Sequence, residues 1–330
     1  MIFLFLQCSI LSVAQDVHFS MFNMSPLTLN PALTGAMDAD FRIANIYRTQ
    51  WKTLGDPVNT FAASYDQQLY FLPNNISAGI ILVSDKSGGI QLVENRVLLS
   101  TSIKHIDIKN TISGGIQFGL GTKTFSTRDV TYPEQYSREI GQFNPTLPNG
   151  ETALELSSMY FDLNVGALYK RRTNRGPFTI GTSVFHVNSP DDSFFKNGDG
   201  LKPRFVVHTD YDFNVTKTWS IRPSLLVMTL SKAQEVVGTM QLGMNMQPND
   251  LNVKRIWGGV AVRSGIERNS DAFAPMIGVD LKHFQVGASY DVTFSTLQLA
   301  NDKRGAFEVS LIYNSLSSAA SAVQIPCDRF

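Results

Sequence analysis

Ile112-Ser113-Gly114-Gly115-Ile116-Gln117-Phe118-Gly119-Leu120 alternates strictly: every second residue is apolar or glycine, and those between are small or polar. Met159-Tyr160-Phe161-Asp162-Leu163-Asn164-Val165-Gly166-Ala167 and Val286-Gly287-Ala288-Ser289-Tyr290-Asp291-Val292-Thr293-Phe294 read the same way. A period of two sends alternate side chains to opposite faces of a sheet. About fourteen such segments run from near Asp40 to Asn314, each roughly 10–14 residues long, which is long for globular strands and right for tilted strands crossing a bilayer. Inside lipid every backbone N–H and C=O needs a partner, so an all-strand chain must close on itself. The expectation is an all-β fold: an antiparallel transmembrane β-barrel of the outer membrane with about 14 strands.

Composition agrees. Charged residues make up 17%, below the roughly 25% usual for soluble domains. Mean hydropathy is near zero, and no run approaches the roughly 18 apolar residues of a spanning helix. Lumen-facing polar residues dilute the hydropathy of a barrel strand. The 28 basic and 28 acidic residues are mixed along the chain, so nothing suggests a nucleic-acid surface.

Strands are expected near 40–50, 57–69, 76–85, 93–107, 111–123, 156–170, 177–187, 202–215, 218–230, 235–247, 252–263, 272–282, 284–296 and 305–314. The even-numbered connections are tight, as in Lys109-Asn110, Asn174-Arg175-Gly176, Thr216-Lys217 and Lys282-His283. The odd ones are generally longer, above all Thr124 to Glu155 and Asn188 to Leu201. Short periplasmic turns alternating with longer outer loops is the barrel pattern. An even strand count then leaves both chain ends in the periplasm. A loop as long as Thr124–Glu155 is usually functional or disordered, and this one is expected to fold over the mouth or into the lumen.

The apolar start, Ile2 to Leu6 and Ile10-Leu11, ends in Ser12-Val13-Ala14, which suits signal peptidase. Residues 1–14 are therefore read as a signal peptide and 15–37 as an N-terminal periplasmic or plug segment. Residues 38–315 are read as the barrel and 316–330 as a periplasmic tail. Segment 15–37 is too polar and short to span, and should lie at the periplasmic mouth or partly in the lumen. Cys8 is poorly flanked for a lipoprotein cysteine. Cys327 is then the only mature cysteine, and no intramolecular disulfide forms.

Alternation turns Arg48, Asp66, Arg96, Lys104, Asp162, Lys170, Arg204, Asp210, Asp212, Arg222, Arg263, Asp280, Asp291 and Glu308 inward. Mixed signs suggest a lattice of ion pairs and waters stiffening the wall rather than an ion-selective pore. Glu308, on the closing strand, can reach Arg42 or Arg48 on the first. Ile112, Ile116, Phe118, Phe161, Leu163, Val165, Val292 and Phe294 should face lipid. Tyr47, Trp51, Tyr65, Tyr169, Trp219 and Tyr313, near strand ends, suit aromatic girdles.

Signs of an enzyme are sparse. His18, His105, His186, His208 and His283 include no pair at metal-ligand spacing. Ser183 and His186 lie three apart, hence on opposite faces of one strand. Gly88-Gly89 and Gly258-Gly259 open no helix and do not make a phosphate loop. No catalytic residue, metal or cofactor is assigned.

Several short motifs stand in order along the chain. Gln15-Asp16-Val17-His18-Phe19-Ser20-Met21-Phe22-Asn23 opens the mature sequence. Leu29-Asn30-Pro31-Ala32-Leu33-Thr34-Gly35 follows, then Tyr47-Arg48-Thr49-Gln50-Trp51 and Pro57. Towards the end come Gly287-Ala288-Ser289-Tyr290-Asp291, Gly305-Ala306-Phe307-Glu308-Val309 and Cys327-Asp328-Arg329-Phe330. Together they resemble the PorP/SprF family of Bacteroidetes outer-membrane proteins, linked to type IX secretion and gliding motility. The departures are Met21 for Gln, Ala306-Phe307 for Ser-His and Asp328 for Pro. Asn30, Pro31, Gly35, Tyr47, Arg48 and Trp51 are the family-motif residues on which the resemblance mainly rests.

The resemblance implies a non-enzymatic barrel that holds a type IX secreted cargo protein at the surface through the cargo's C-terminal domain. A periplasmic partner can link such a barrel to peptidoglycan. Aromatic residues of the two longest loops, Tyr132, Tyr136, Phe143, Phe194 and Phe195, are the candidate docking residues, since interface hot spots favour aromatics. Two other readings stay open: a fatty-acid-transporter-like carrier of hydrophobic small molecules, for which segment 15–37 is short as a hatch, and a passive porin.

Overall fold

The computed structural model describes residues 17–50, 56–70, 75–88, 91–126, 133–144, 146–147, 155–194, 200–230, 233–247, 252–265, 270–293 and 304–315. Fourteen antiparallel strands form one closed wall. They are β1 Phe41–Gln50, β2 Val58–Gln68, β3 Ile76–Ser87, β4 Leu92–Ile106, β5 Asn110–Ser126, β6 Glu155–Thr173 and β7 Gly176–Phe185. The second half is β8 Arg204–Tyr211, β9 Trp219–Leu230, β10 Ala233–Asn245, β11 Val253–Gly265, β12 Ser270–Leu281, β13 Phe284–Thr293 and β14 Arg304–Asn314. Each strand pairs with its neighbours in sequence, and β1 pairs with β14 from Arg42↔Asn314 to Gln50↔Ala306. No edge is left open, as a sheet in lipid requires.

The period-two reading holds where it was sharpest. Along β4, buried and exposed residues alternate from Arg96 to Lys104. Ile112 is 59% exposed, Ile116, Phe118 and Phe161 are also exposed, and their neighbours Ser113, Gln117 and Asp162 are buried. A continuous apolar exterior of this kind suits hydrocarbon and would be a liability in water. Leu163, Val165 and Val292 are partly exposed, and Phe294 lies outside the described residues.

Two strands outrun the expected length. β5 has 17 residues and β6 has 19, paired throughout from Asn110↔Arg171 to Ser126↔Glu155. The added residues extend the wall at both rims, Ser126 and Glu155 towards the long connection and Arg171 to Thr173 towards the short turn. Pro275 in β12 lacks an amide hydrogen, and the β12–β13 ladder resumes only at Met276↔Ser289.

The core lies inside the barrel. Residues 17–37 thread the lumen as an extended stretch followed by three short helical turns, Phe22–Met24, Pro26–Leu29 and Pro31–Leu33. Phe19, Met21, Phe22, Met24, Leu27 and Leu29 pack into one buried cluster with wall residues that include Ile46, Ile81, Phe185, Leu226, Val237 and Trp257. The sequence reading anticipated a lumen of ion pairs and waters. The ion pairs are there, as in Arg42–Asp66 and Arg222–Asp210, and the inner wall also presents apolar side chains to the plug.

Candidate functional site

The plug runs lengthwise. Its first described residue, Val17, offers its carbonyl to Arg204 at the start of β8, and His18 Nε2 lies 3.8 Å from Glu235 near the start of β10. Both wall residues are at the long-connection rim. At the other end the Gly35 carbonyl accepts from Lys104 Nζ at 2.5 Å, near the short turn after β4. The segment therefore runs through the lumen from one rim towards the other. Such a path buries backbone groups away from water, and each needs a partner. Wall side chains supply them: Gln117 donates to the Leu27 carbonyl, Ser183 to Leu29, Arg42 to Leu33 and Ser102 to Thr34.

Near the long-connection rim, Glu308 accepts from the backbone amides of Ser20 at 2.7 Å and Met21 at 2.9 Å. Ser20 Oγ donates to Asp291 at 2.8 Å. Arg48 bridges the two carboxylates, pairing with Glu308 and, at 2.9 Å, with Asp291. Arg263 approaches Asp291 at 3.2 Å. Arg48, Asp291 and Glu308 are buried, a placement tolerated only because each charge has several partners.

Midway down, Asn30 is fully buried. Its Oδ1 accepts from Ala32 N at 2.8 Å, capping the turn Pro31–Leu33. Its Nδ2 donates to the wall carbonyls of Ala167 at 3.0 Å and Thr182 at 3.1 Å, and lies 3.1 Å from His208 Nε2. A strand carbonyl can accept this way only if the plug touches the wall backbone. Glycine permits it: a Cβ at Gly166 would collide with Asn30 Oδ1, and one at Gly115 with the Pro31 backbone. Gly35, at φ +64, donates its amide to Asp66 at 2.6 Å, and a Cβ there would strike Ser77. Asp66 is held by Arg42 at 2.8 Å.

Of the family-motif residues, Asn30, Pro31, Gly35 and Arg48 thus meet at the plug–wall contact. Tyr47 lies on the outer face and donates to Asn59 at 2.9 Å, and Trp51 is outside the described residues. Among the inward polar residues, Asp162 is fully buried, and Arg263 is partly so. Ser183 and His186 are both buried, against the opposite-face reading. His186 follows the end of β7 at φ +57, which breaks the alternation, and its Nδ1 lies 2.8 Å from Asp162. Among the described residues no group of His, Cys, Asp and Glu is placed to hold a metal. Sequence reading missed Trp257, which points inward with its ring over Gly278 and donates to Asp280 at 3.2 Å. Its phase relative to Arg255 and Gly259 was the available signal.

At the long-connection rim, Pro133–Gln135 forms a helical turn leading into a small hairpin, Tyr136–Ser137 with Gln142–Phe143. The Tyr136 and Phe143 rings meet edge-on at 5.2 Å. Tyr136, Ile140, Phe143 and Leu147 are all exposed. Phe194 is tied down: its ring is 6.4 Å from Phe125 and lies under Lys123, which pairs with Asp192 at 2.6 Å. Tyr132 and Phe195 lie outside the described residues.

The model of the type IX secretion system membrane protein PorP/SprF matches residues 11–313, nearly the whole chain. The chain belongs to the PorP/SprF family. As a PorP/SprF protein it is an outer-membrane β-barrel of the type IX secretion apparatus, a membrane secretion component by family and fold. No curated protein matches it. Solved structures with a similar form are the toluene transporter TbuX of Ralstonia pickettii and a FadL homologue of Pseudomonas aeruginosa. The first is 11% identical, covering 88% of this chain and 93% of that one, with a TM-score of 0.49. The second is 10% identical, covering 86% and 92%, with a TM-score of 0.46. CdiB from Acinetobacter baumannii is 7% identical, covering 83% and 60%, with a TM-score of 0.44.

Proposed function

We propose that this PorP/SprF protein anchors a type IX secreted cargo at the cell surface by receiving the cargo's C-terminal domain at its long-connection rim. The observation that carries the reading is the plug. Leu27, Asn30, Ala32 and Thr34 are buried between plug and wall, and a cavity of about 190 Å³ beside the plug, lined by Pro26, Arg42 and His208, has no room for a folded domain. Recognition then falls to the rim. The hairpin bearing Tyr136, Ile140 and Phe143 offers there the exposed apolar surface that interface anchors use.

Deletion of residues 135–148 tests the reading. The barrel should stay folded and heat-modifiable while the cargo is released into the medium. Cargo that stays cell-attached after the deletion would show that this loop is not the dock. Absence of any co-purifying protein, together with lost uptake of a hydrophobic nutrient, would replace the anchor with a transporter.

A further inference from the structure

The short-turn rim carries a groove that the plug and the cargo reading do not use. It has a volume of about 550 Å³ and is lined by Lys109, Arg171, Arg175, Phe178 and Tyr211, among others. Arg171, Phe178 and Tyr211 lie in one row across three strands, through the register pairs Arg171↔Phe178 and Phe178↔Tyr211. All three fall on the lipid-facing phase of their strands, opposite the lumen-facing Lys170, Thr179 and Asp210. Phe178, Tyr211 and Phe213 form a chain of edge contacts at 5.9 and 5.4 Å, and Arg175 stacks over Phe213 at 5.1 Å. This is an interfacial aromatic belt with guanidinium groups set into it.

Three of the four cations that line the groove have no carboxylate partner among the described residues, and the fourth is Arg172. Arg172, on the lumen phase, pairs with Asp38 at 3.4 Å. Among the described residues no carboxylate stands within ion-pair distance of Lys109, Arg171 or Arg175, and all three are exposed. The hairpin Arg171-Arg172-Thr173-Asn174-Arg175 contains no acid. One pleat towards the membrane centre, the register row Ile112↔Tyr169↔Ile180 gives an apolar track, with both isoleucines exposed.

We propose that this groove binds the phosphate of an anionic phospholipid in the leaflet at the short-turn rim, with an acyl chain laid along Ile112 and Ile180. Arginine's planar fork matches phosphate oxygens, and Lys109 adds a point charge. The ligand is a lipid rather than a soluble anion because the same groove is continuous with the apolar exterior. An acidic protein segment would meet the cations but leave that track uncovered.

The test uses the full chain, folded in detergent micelles, with phosphatidylglycerol, cardiolipin or phosphatidylcholine added and lipid retention read by native mass spectrometry. The two anionic lipids should be retained over phosphatidylcholine, and inorganic phosphate should not displace them. The variant K109Q/R171Q/R175Q should remain heat-modifiable yet lose anionic-lipid retention by more than about tenfold. The variant K217Q/K254Q/K282Q, altered on the same rim outside the groove, should retain it. Equal retention of all three lipids, or undiminished retention by the groove variant, would overturn the proposal. So would a polyglutamate peptide that binds with the groove's residue dependence while the lipids do not.

Discussion

Arg48 and Glu308 face each other across the seam at which the barrel closes: they are partners in the β1–β14 ladder, and their side chains form a buried ion pair. Because Glu308 also accepts from the amides of Ser20 and Met21, one carboxylate ties together the first strand, the last strand and the plug. Its replacement by alanine takes one of two carboxylates from the buried Arg48 guanidinium and leaves two buried N–H groups without their acceptor. Glu308→Ala should cost about 3–5 kcal/mol, the range for breaking one side of a buried pair. Heat-modifiability on gels should show unfolding at a clearly lower temperature, with Glu308→Gln falling between variant and wild type. A wild-type profile for Glu308→Ala would refute the lock.

Asn30 and Gly166 form the second fastening. Asn30→Ala leaves strand carbonyls and the Ala32 amide without their partner, at a cost of about 1–3 kcal/mol. Gly166→Val should displace the plug outright, because its side chain occupies the space of Asn30 and Pro31. In planar bilayers the wild type should be closed and Gly166→Val should conduct. A large steady conductance from the wild type would contradict an occluded lumen.

Phe161 stands on the outer wall at 50% exposure, with Asp162 beside it fully buried. Phe161→Arg places a charge in hydrocarbon and should destabilise the extracted barrel by roughly 2–4 kcal/mol if the site lies near the midplane. Denaturant titration in lipid vesicles measures this, and an unchanged midpoint would put Phe161 outside the hydrocarbon band.

The ends of the barrel meet at one rim, where Ser315 Oγ accepts from the amides of Asp40 and Phe41 at 3.0 and 2.9 Å. That rim is expected to face the periplasm. In a Cys327→Ser background, Ser315→Cys should resist an impermeant thiol reagent on intact cells, while Glu139→Cys in the long loop should label. The opposite pattern would invert the topology.

The local rules carried the wall. Alternation is a property of consecutive residues, so the strand count, the lipid face of β5 and β6, and the inward turn of Arg48, Asp162 and Glu308 were legible from Ile112–Leu120 and its repeats. Where alternation breaks, the reading broke too, as at His186, whose positive φ nothing in the neighbouring residues announced. The motif Leu29–Gly35 marked the plug without revealing its path.

The sequence by itself determined a closed, lipid-facing barrel and its family, because period-two patterning and motif order are written along the chain. Only the tertiary structure decided what fills it. Asn30 reaches strand carbonyls 137 and 152 residues away, and Ser20 reaches Glu308 across 288. Such pairings depend on how the wall curves and where its glycines let another backbone approach. The choice of Arg48 for Glu308, and of Arg42 for Asp66, was likewise made by register across the seam and across the β1–β2 ladder.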